Sequence, residues 1–320
     1  MKTFLRIIVA MLAASTLQAF AQNFPTKPVH VVITFPPGSA TDIVGRLVAQ
    51  KLSDLWGQPV VVDNRGGAGG SIGSAVVAKT APDGYNLLIN SNAHAVNPAI
   101  YAKLPYDTQK DFVDIVPLSG APNVFVVPVS SKFKSLADFV AEAKANPGKL
   151  NFAHAGVGSG THLNTEKFKL AAGIDFVQVP YKGTQEIFTD LISGRVDSYF
   201  SPMSPVIPQV RDGKLRALAV SSAKRSGRLP EVPTVAESGH PGFEFTLWFG
   251  IWGPAGIPAD VVAKINRDIN SVLATADVRE RLAKLGNDPM NMNPAEFREY
   301  VRREIEEYAR IIKAAGIKPQ

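Results

Sequence analysis

The chain has 320 residues, 45% of them hydrophobic and 19% charged, with a mean hydropathy of +0.04. That balance excludes a disordered chain or a low-complexity fibre, and no series of long apolar runs marks a polytopic membrane protein. Cysteine is absent, which excludes disulfides, zinc–thiolate sites, iron–sulfur clusters and cysteine nucleophiles, while a formal charge of +6 leaves an anionic partner to be weighed.

Lys2 and Arg6 precede an apolar run from Ile7 to Ala14, and Ala19-Phe20-Ala21 forms a small-x-small cleavage signal. This is the layout of a secretory signal peptide over residues 1–21, and it predicts export. The run is shorter than the roughly 20 apolar residues of a transmembrane helix. Two of the positive charges lie in this segment. Beyond it, acids and bases are interspersed, which reads as a solvated surface and predicts no nucleic-acid partner.

The remaining chain alternates short apolar strands with amphipathic helices. Val29 to Phe35 reads as a buried strand, broken by Pro36-Pro37-Gly38-Ser39-Ala40. Ile43, Val44, Leu47, Val48, Leu52 and Leu55 then recur at helical spacing. Val60 to Val62 is a second strand, Arg65 to Gly70 a glycine loop, and Ile72 to Lys79 a further helix. Tyr85 to Ile89 and Val124 to Val127 are strands. Leu136 to Ala145 is a helix ended by Asn146-Pro147-Gly148. Leu150 to Ala155 is a strand running into Gly156 to Gly160, and Thr161 to Ala172 is a helix stopped by Gly173. Asp175 to Val179, Val196 to Phe200, Leu215 to Val220 and Leu247 to Trp252 complete the strands. Ala259 to Ala315 reads as helical, with a break near Gly286 to Pro294. Such alternation predicts mostly parallel α/β sheets, and the length fits two lobes. With no low-complexity linker, lobes joined by crossing strands fit better than beads on a string.

Two loops share one physical design. Pro36-Pro37-Gly38-Ser39-Ala40-Thr41-Asp42 and Gly156-Val157-Gly158-Ser159-Gly160-Thr161-His162 each run from a strand into a helix. A helix N-terminus offers unpaired N–H donors and partial positive charge, suited to a carboxylate, and small residues let a ligand reach the backbone. Ser39, Thr41, Ser159 and Thr161 can bond the ligand or cap their own helices.

Other chemistry has less support. No Gly-Lys-Ser/Thr triplet occurs, and Gly156-x-Gly158-x-Gly160 misses the dinucleotide pattern by one position, so no nucleotide cofactor is expected. Gly69-Gly70-Ser71-Ile72-Gly73 matches the G-x-S-x-G hydrolase pattern, with later histidines available, and keeps a serine hydrolase using Ser71 as an alternative. A glycine loop stands where that motif needs a sharp turn off the strand. His162 and Glu166 fall on one helix face, but without an HExxH pattern no metal is expected. His94 lines a cleft or satisfies its own loop. Asp197, inside an apolar strand, needs a partner from the protein, a water or a ligand. Phe35, Tyr181 and Trp248 are candidates to pack on a ligand or in the core.

A series of segments carries a family resemblance. Phe35-Pro36-Pro37-Gly38-x-Ala40-Thr41-Asp42, Val61-Val62-x-Asn64-Arg65-x-Gly67-Ala68-Gly69-Gly70 and Ala81-Pro82-Asp83-Gly84-Tyr85 come first. Ala145-Asn146-Pro147-Gly148-Lys149-Leu150, His162-Leu163, Val179-Pro180-Tyr181-Lys182-Gly183 and Val232-Pro233-Thr234-Val235-Ala236-Glu237 follow in order. Together they resemble the substrate-binding proteins of tripartite tricarboxylate transporters, the Bug receptors. The resemblance implies a type II periplasmic binding protein fold, α/β, with two open lobes joined by a crossing-strand hinge and closing like a clamshell. Its implied boundaries are residues 22–122 with 240–320 for lobe 1, and 123–239 for lobe 2. The implied role is periplasmic capture of a small carboxylate, a di- or tricarboxylate or aromatic acid, without catalysis or cofactor. Carboxylates are held in the family by backbone groups and ordered waters. Implied partners are integral-membrane permease subunits or a signalling sensor, with a monomer as the default. Carried over by position, the implied ligand residues are Pro37, Gly38, Ser39, Ala40, Thr41, Asp42, Ser91, Asn92, His94, Gly158, Ser159, Gly160, Thr161, His162, Tyr181 and Asp197, with Phe35 as an aromatic neighbour. Ser39 departs from the usual second glycine of the first loop. Ser201-Pro202-Met203-Ser204 lacks the acid or amide found there in many members, which leans toward a plain carboxylate rather than an amino acid.

Overall fold

A computed structural model describes residues 24–319. The signal-peptide segment, residues 1–21, lies outside the described residues. In the first lobe, β1 (Val29–Ile33) pairs in parallel with β2 (Val60–Asn64) and β3 (Asn86–Ser91). The crossovers are α1 (Ala40–Trp56) and α2 (Ser71–Val77), and α3 (Ala93–Ile100) follows β3. Four of the five β1 side chains are buried, because helices cover both faces of a parallel sheet. α1 ends where Gly57 takes a left-handed conformation (φ 61°) and returns its N–H to the Ser53 carbonyl.

The second lobe repeats the plan. α4 (Leu136–Ala145) begins with a reciprocal Ser135–Asp138 capping box. β5 (Asn151–His154) pairs in parallel with β6 (Val177–Pro180) and with β7 (Ser198–Pro202). α5 (Gly160–Ala172), α6 (Thr184–Ile192) and α7 (Met203–Arg211) follow β5, β6 and β7 respectively, and β8 (Leu215–Val220) comes after α7. The Phe125 ring meets the edges or faces of Phe139, Phe152, Phe168 and Phe200 at centroid distances of 4.9–5.6 Å, an aromatic core for this lobe.

The lobes share a strand. β4 (Phe112–Pro128) pairs antiparallel with β9 (Thr246–Pro254) through Pro122, then with β7 and β8 from Asn123 onward. The expected mostly parallel sheet is therefore a mixed one: parallel pairs build each lobe, and antiparallel pairs carry the crossing. Register shifts near Asp114, Pro117 and Phe125 mark bulges that bend the strand between sheets. The helical tail divides into α8 (Ala259–Ala274), α9 (Ala276–Lys284) and α10 (Pro294–Ala314), with the short β10 (Asp288–Pro289) added to β4. α10 packs on α3 of the first lobe and on α5 of the second.

Ser221 clasps the two crossing segments. Its N–H donates to the Asn123 carbonyl (2.8 Å) and its carbonyl accepts from the Phe245 N–H (2.7 Å). Its hydroxyl accepts from the Asn123 N–H (2.8 Å) and donates to the Phe245 carbonyl (2.6 Å). The residue is fully buried. Ser221→Ala leaves a buried donor and a buried acceptor unpaired, and should cost about 1–3 kcal/mol in urea unfolding. A loss below about 0.5 kcal/mol would show that the clasp does not hold the hinge.

Candidate ligand-binding cleft

The first loop is built by its own side chains. Ser39 is the N-cap of α1 (φ −70°, ψ 161°), and its Oγ accepts from the Asp42 N–H (3.2 Å). Gly38, at φ 77°, turns the chain so that its N–H donates to Asp42 Oδ2 (2.9 Å). The other Asp42 oxygen accepts from Arg46 Nε and Asn64 Nδ2, each at 2.8 Å. Asp42 is thus a brace for the loop. The Ala40 and Thr41 N–H groups have no partner among the described residues.

The second loop repeats this geometry. Ser159 caps α5 (φ −73°, ψ 158°) by accepting from the His162 N–H (3.2 Å). Gly158 lies at φ 80°, and its N–H points at His162 Nδ1 (3.5 Å). His162 therefore occupies the place that Asp42 takes in the first loop. Ser39 and Ser159 N–H both close a turn onto the carbonyl three residues earlier, Pro36 and Gly156. Gly160 and Thr161 again have N–H groups with no partner among the described residues. Thr161 Oγ1 accepts from the Ala155 N–H and bonds Ser159 Oγ, both at 3.0 Å.

The two loops face each other across a cavity of about 30 Å³. Phe35, Ser39, Ala40, Thr41 and Ser91 line it from the first lobe, with Leu247 from β9. The second lobe supplies Ala155, Ser159, Gly160, Thr161, Thr184, Tyr199 and Pro202. None of these side chains carries a charge at neutral pH; burial drives the Tyr199 hydroxyl well above the ordinary tyrosine range. The electrostatics therefore come from the N-termini of α1, α5 and α6, whose aligned peptide dipoles favour an anion. Apolar walls lower the local dielectric and strengthen those bonds.

The lobes touch around this space. Gln185 Nε2 donates to the Gly38 carbonyl (3.3 Å), and Tyr101 OH donates to the Val157 carbonyl (2.9 Å). A Cβ on Gly69 would come within 2.7 Å of the Val157 oxygen, so the Gly67–Gly70 turn is also an interlobe contact.

Of the residues singled out in the sequence, Phe35, Ser39, Ala40, Thr41, Ser91, Ser159, Gly160 and Thr161 line the cavity. Pro37, Gly38 and Gly158 shape the loops without lining the cavity. Ser39 lines it while giving its oxygen to the helix cap. Asn92 sits at the lobe interface, its Nδ2 donating to Tyr308 OH (3.2 Å). Four expectations are corrected. His94 is fully buried among Trp252, Phe112 and Tyr106, at centroid distances of 4.4, 4.8 and 6.3 Å, because α3 turns it inward. His162 packs behind its loop against His154 (4.6 Å), and burial depresses it to about 4. Tyr181 OH donates to Asp190 (2.8 Å) outside the cavity, and its pKa is pushed up to about 12 by burial and that carboxylate. Asp197 precedes β7, at the end of the sheet away from the cavity, where it accepts from the Asn151 N–H (2.7 Å). Ligands of such sheets sit at the carboxyl ends of the strands.

Ala155, Thr184, Tyr199, Pro202 and Leu247 are the lining residues the sequence reading missed. Thr184 opens α6 directly after β6, so the strand-to-helix rule that found the other loops also points to it. Leu247 comes from β9, which pairs with the crossing strand, and carries no local signal. Ser71 shows no side-chain hydrogen bond to a histidine among the described residues, and His94, His154, His162 and His240 are placed against aromatic or histidine rings. No cluster of three metal-ligating residues occurs among the described residues.

The family described as "Tripartite tricarboxylate transporter family receptor" matches residues 44–317. Protein BugT of Bordetella pertussis is 38% identical over 300 residues, covering 93% of this chain and 92% of that protein. Rpa4515 of R. palustris, solved with adipate, superposes with a TM-score of 0.90 at 34% identity, covering 93% of this chain and all of that one. MatC of Rhodopseudomonas palustris, solved with bound malate, gives 0.85 at 32% identity, covering 90% of this chain and all of that one.

His94 has no hydrogen-bond partner on either ring nitrogen among the described residues, and burial lowers its pKa to about 3. Below about pH 6.5 the unfolded chain takes up a proton at this site that the folded chain refuses until about pH 3. His94→Leu removes that uptake. Wild type should therefore lose about 1.4 kcal/mol per pH unit relative to the variant as pH falls below 6.5. Urea unfolding of both at several pH values measures it, and parallel stability curves would contradict the burial. Ligand affinity at pH 7 should be the same in both.

Proposed function

Because the chain belongs to the tripartite tricarboxylate transporter receptor family, whose members are periplasmic solute-binding receptors and not enzymes, we propose that it captures a small carboxylate between its lobes for a transporter of that type. Export by cleavage after residue 21 belongs to the same proposal. The carrying observation is the cavity itself: two serine-capped helix N-termini face each other across it, and no charged side chain lines it. Adipate and malate in two similar structures support a carboxylate.

The geometry sets the binding terms. A carboxylate accepts hydrogen bonds only, and the Ala40, Thr41, Gly160 and Thr161 N–H groups together with the hydroxyls supply donors. No acid lines the cavity among the described residues, so a plain carboxylate is favoured over an amino acid. Closure removes water from the site. Ligand energy that exceeds the cost of bringing the lobes together shifts the population toward the closed form, which a permease can read.

A thermal-shift screen of residues 22–320 against a panel of carboxylates, amino acids and amines tests this. A ligand at about 100 times its Kd adds about 2.7 kcal/mol to stability, enough to read as a shift in Tm. One carboxylate class should give a dose-dependent shift. Silence from every carboxylate after unfolding and refolding, or a response to amines instead, would overturn the reading. Thr41→Val, which removes a lining hydroxyl, should weaken the responding carboxylate about tenfold, about 1.4 kcal/mol. Ser71→Ala should leave its affinity unchanged, whereas a hydrolase would turn the compound over and lose that turnover in the variant.

A further inference from the structure

Beside the cavity, Asn92 of the first lobe leaves no room for a side chain at Gly160 of the second. Asn92 leads into α3 of the first lobe and is fully buried. Its N–H donates to the Trp248 carbonyl (2.9 Å), and its Nδ2 donates to Tyr308 OH (3.2 Å) on α10. The Tyr308 hydroxyl donates in turn to Glu304, which also accepts from Trp248 Nε1 (2.7 Å). With its proton directed at Glu304, the Tyr308 hydroxyl must accept from Asn92. The amide is thereby fixed with its nitrogen toward Tyr308 and its Oδ1 toward the second lobe. That Oδ1 has no hydrogen-bond partner among the described residues.

It faces Gly160, the first residue of α5. A Cβ there would lie 2.2 Å from Asn92 Oδ1 and 2.6 Å from Leu247 Cδ1. The Leu247 methyl is the end of a flexible side chain and can turn away. The Asn92 carboxamide is held through its Nδ2 by Tyr308, and its backbone N–H is held by the Trp248 carbonyl, so turning it away breaks a buried hydrogen bond. Gly160 has no left-handed φ, so its backbone does not require a glycine, and the three atoms nearest a Cβ there all come from Asn92 and Leu247. Alanine has the better helix propensity.

We propose that Asn92, held by Tyr308, is the stop against which the second lobe closes, and that the missing side chain of Gly160 sets how small the closed cavity becomes. Asn92 is then a positioning residue that determines ligand size through closure without lining the cavity. The inference depends on the receptor reading only for what the closed cavity encloses. The contact itself is testable without ligand.

The absence of native cysteine makes a clean reporter possible. A Cβ on Gly183 of the second lobe would lie 3.6 Å from the Pro36 Cβ of the first, within disulfide range. Pro36→Cys with Gly183→Cys therefore forms a disulfide only when the lobes meet, and its rate under fixed oxidant reports visits to the closed form. In ligand-free protein, adding Gly160→Ala should slow this rate at least about tenfold while Tm stays within about 2 °C. Adding Asn92→Ala to that variant should restore the rate to within about twofold, a rescue that a general folding defect would not show. Asn92→Gln, which lengthens the stop from the other lobe, should slow the rate on its own, and it keeps the test decisive if Gly160→Ala folds poorly. An unchanged rate in Gly160→Ala, no rescue by Asn92→Ala, no slowing in Asn92→Gln, or a folded parent pair that never forms the disulfide would each overturn the proposal. Failure of every carboxylate to bind would leave these rates untouched and would count against the receptor reading alone.

Discussion

Under the proposed function, an anion enclosed without a cation is the constraint on which this architecture turns. A buried carboxylate loses its water and must be given donors of comparable strength. In the proposed site the donors are backbone N–H groups, placed by two strand-to-helix turns that share a left-handed glycine, a capping serine and an unpaired first turn. The arrangement also explains where the nearby ionisable side chains go. Asp42 would repel a carboxylate if it pointed into the cavity. It is turned back instead and held by Gly38, Arg46 and Asn64. His162 holds the matching place in the other loop, where burial favours its neutral form.

In the proposed function, donors split between two lobes act together only when the lobes meet, so binding and closure are one process. The hinge is correspondingly specific. β4 belongs to both sheets, bulges where it bends, and is clasped by Ser221 to the returning segment at Phe245. α10 lies against helices of both lobes, and its Tyr308 reaches Asn92 at the lobe interface. The C-terminal helix thus bridges the two lobes as well as covering the core.

The part of the site written in local chemistry was legible in the sequence. Gly38-Ser39 and Gly158-Ser159 announce capped helix starts, and strand–helix alternation places them at the ends of sheets. The paired lobes followed from the same alternation and from the ordered family motifs. What the sequence concealed was non-local or directional. Tyr199 and Leu247 reach the cavity through strand pairing, which no window of sequence encodes. Asp197 lies at the wrong end of its strand, a matter of chain direction that hydrophobic patterning does not report. His94 resembles a cleft residue because it follows Ser91-Asn92, yet the helix that begins there turns it into an aromatic core. Only Val124 to Val127 of β4 reads as a strand, because Pro117, Gly120 and Pro122 mimic breakers. They are tolerated in a strand that is bulged and changes partners along its length.

A crystal structure of residues 22–320 with a bound carboxylate tests the central claim most directly. The account predicts carboxylate oxygens between the two loops, about 2.7–3.2 Å from N–H groups of Ala40, Thr41, Gly160 or Thr161, or joined to them through one ordered water. No arginine or lysine would reach the ligand. A carboxylate paired with a cationic side chain, or bound outside the interlobe cavity, would contradict it.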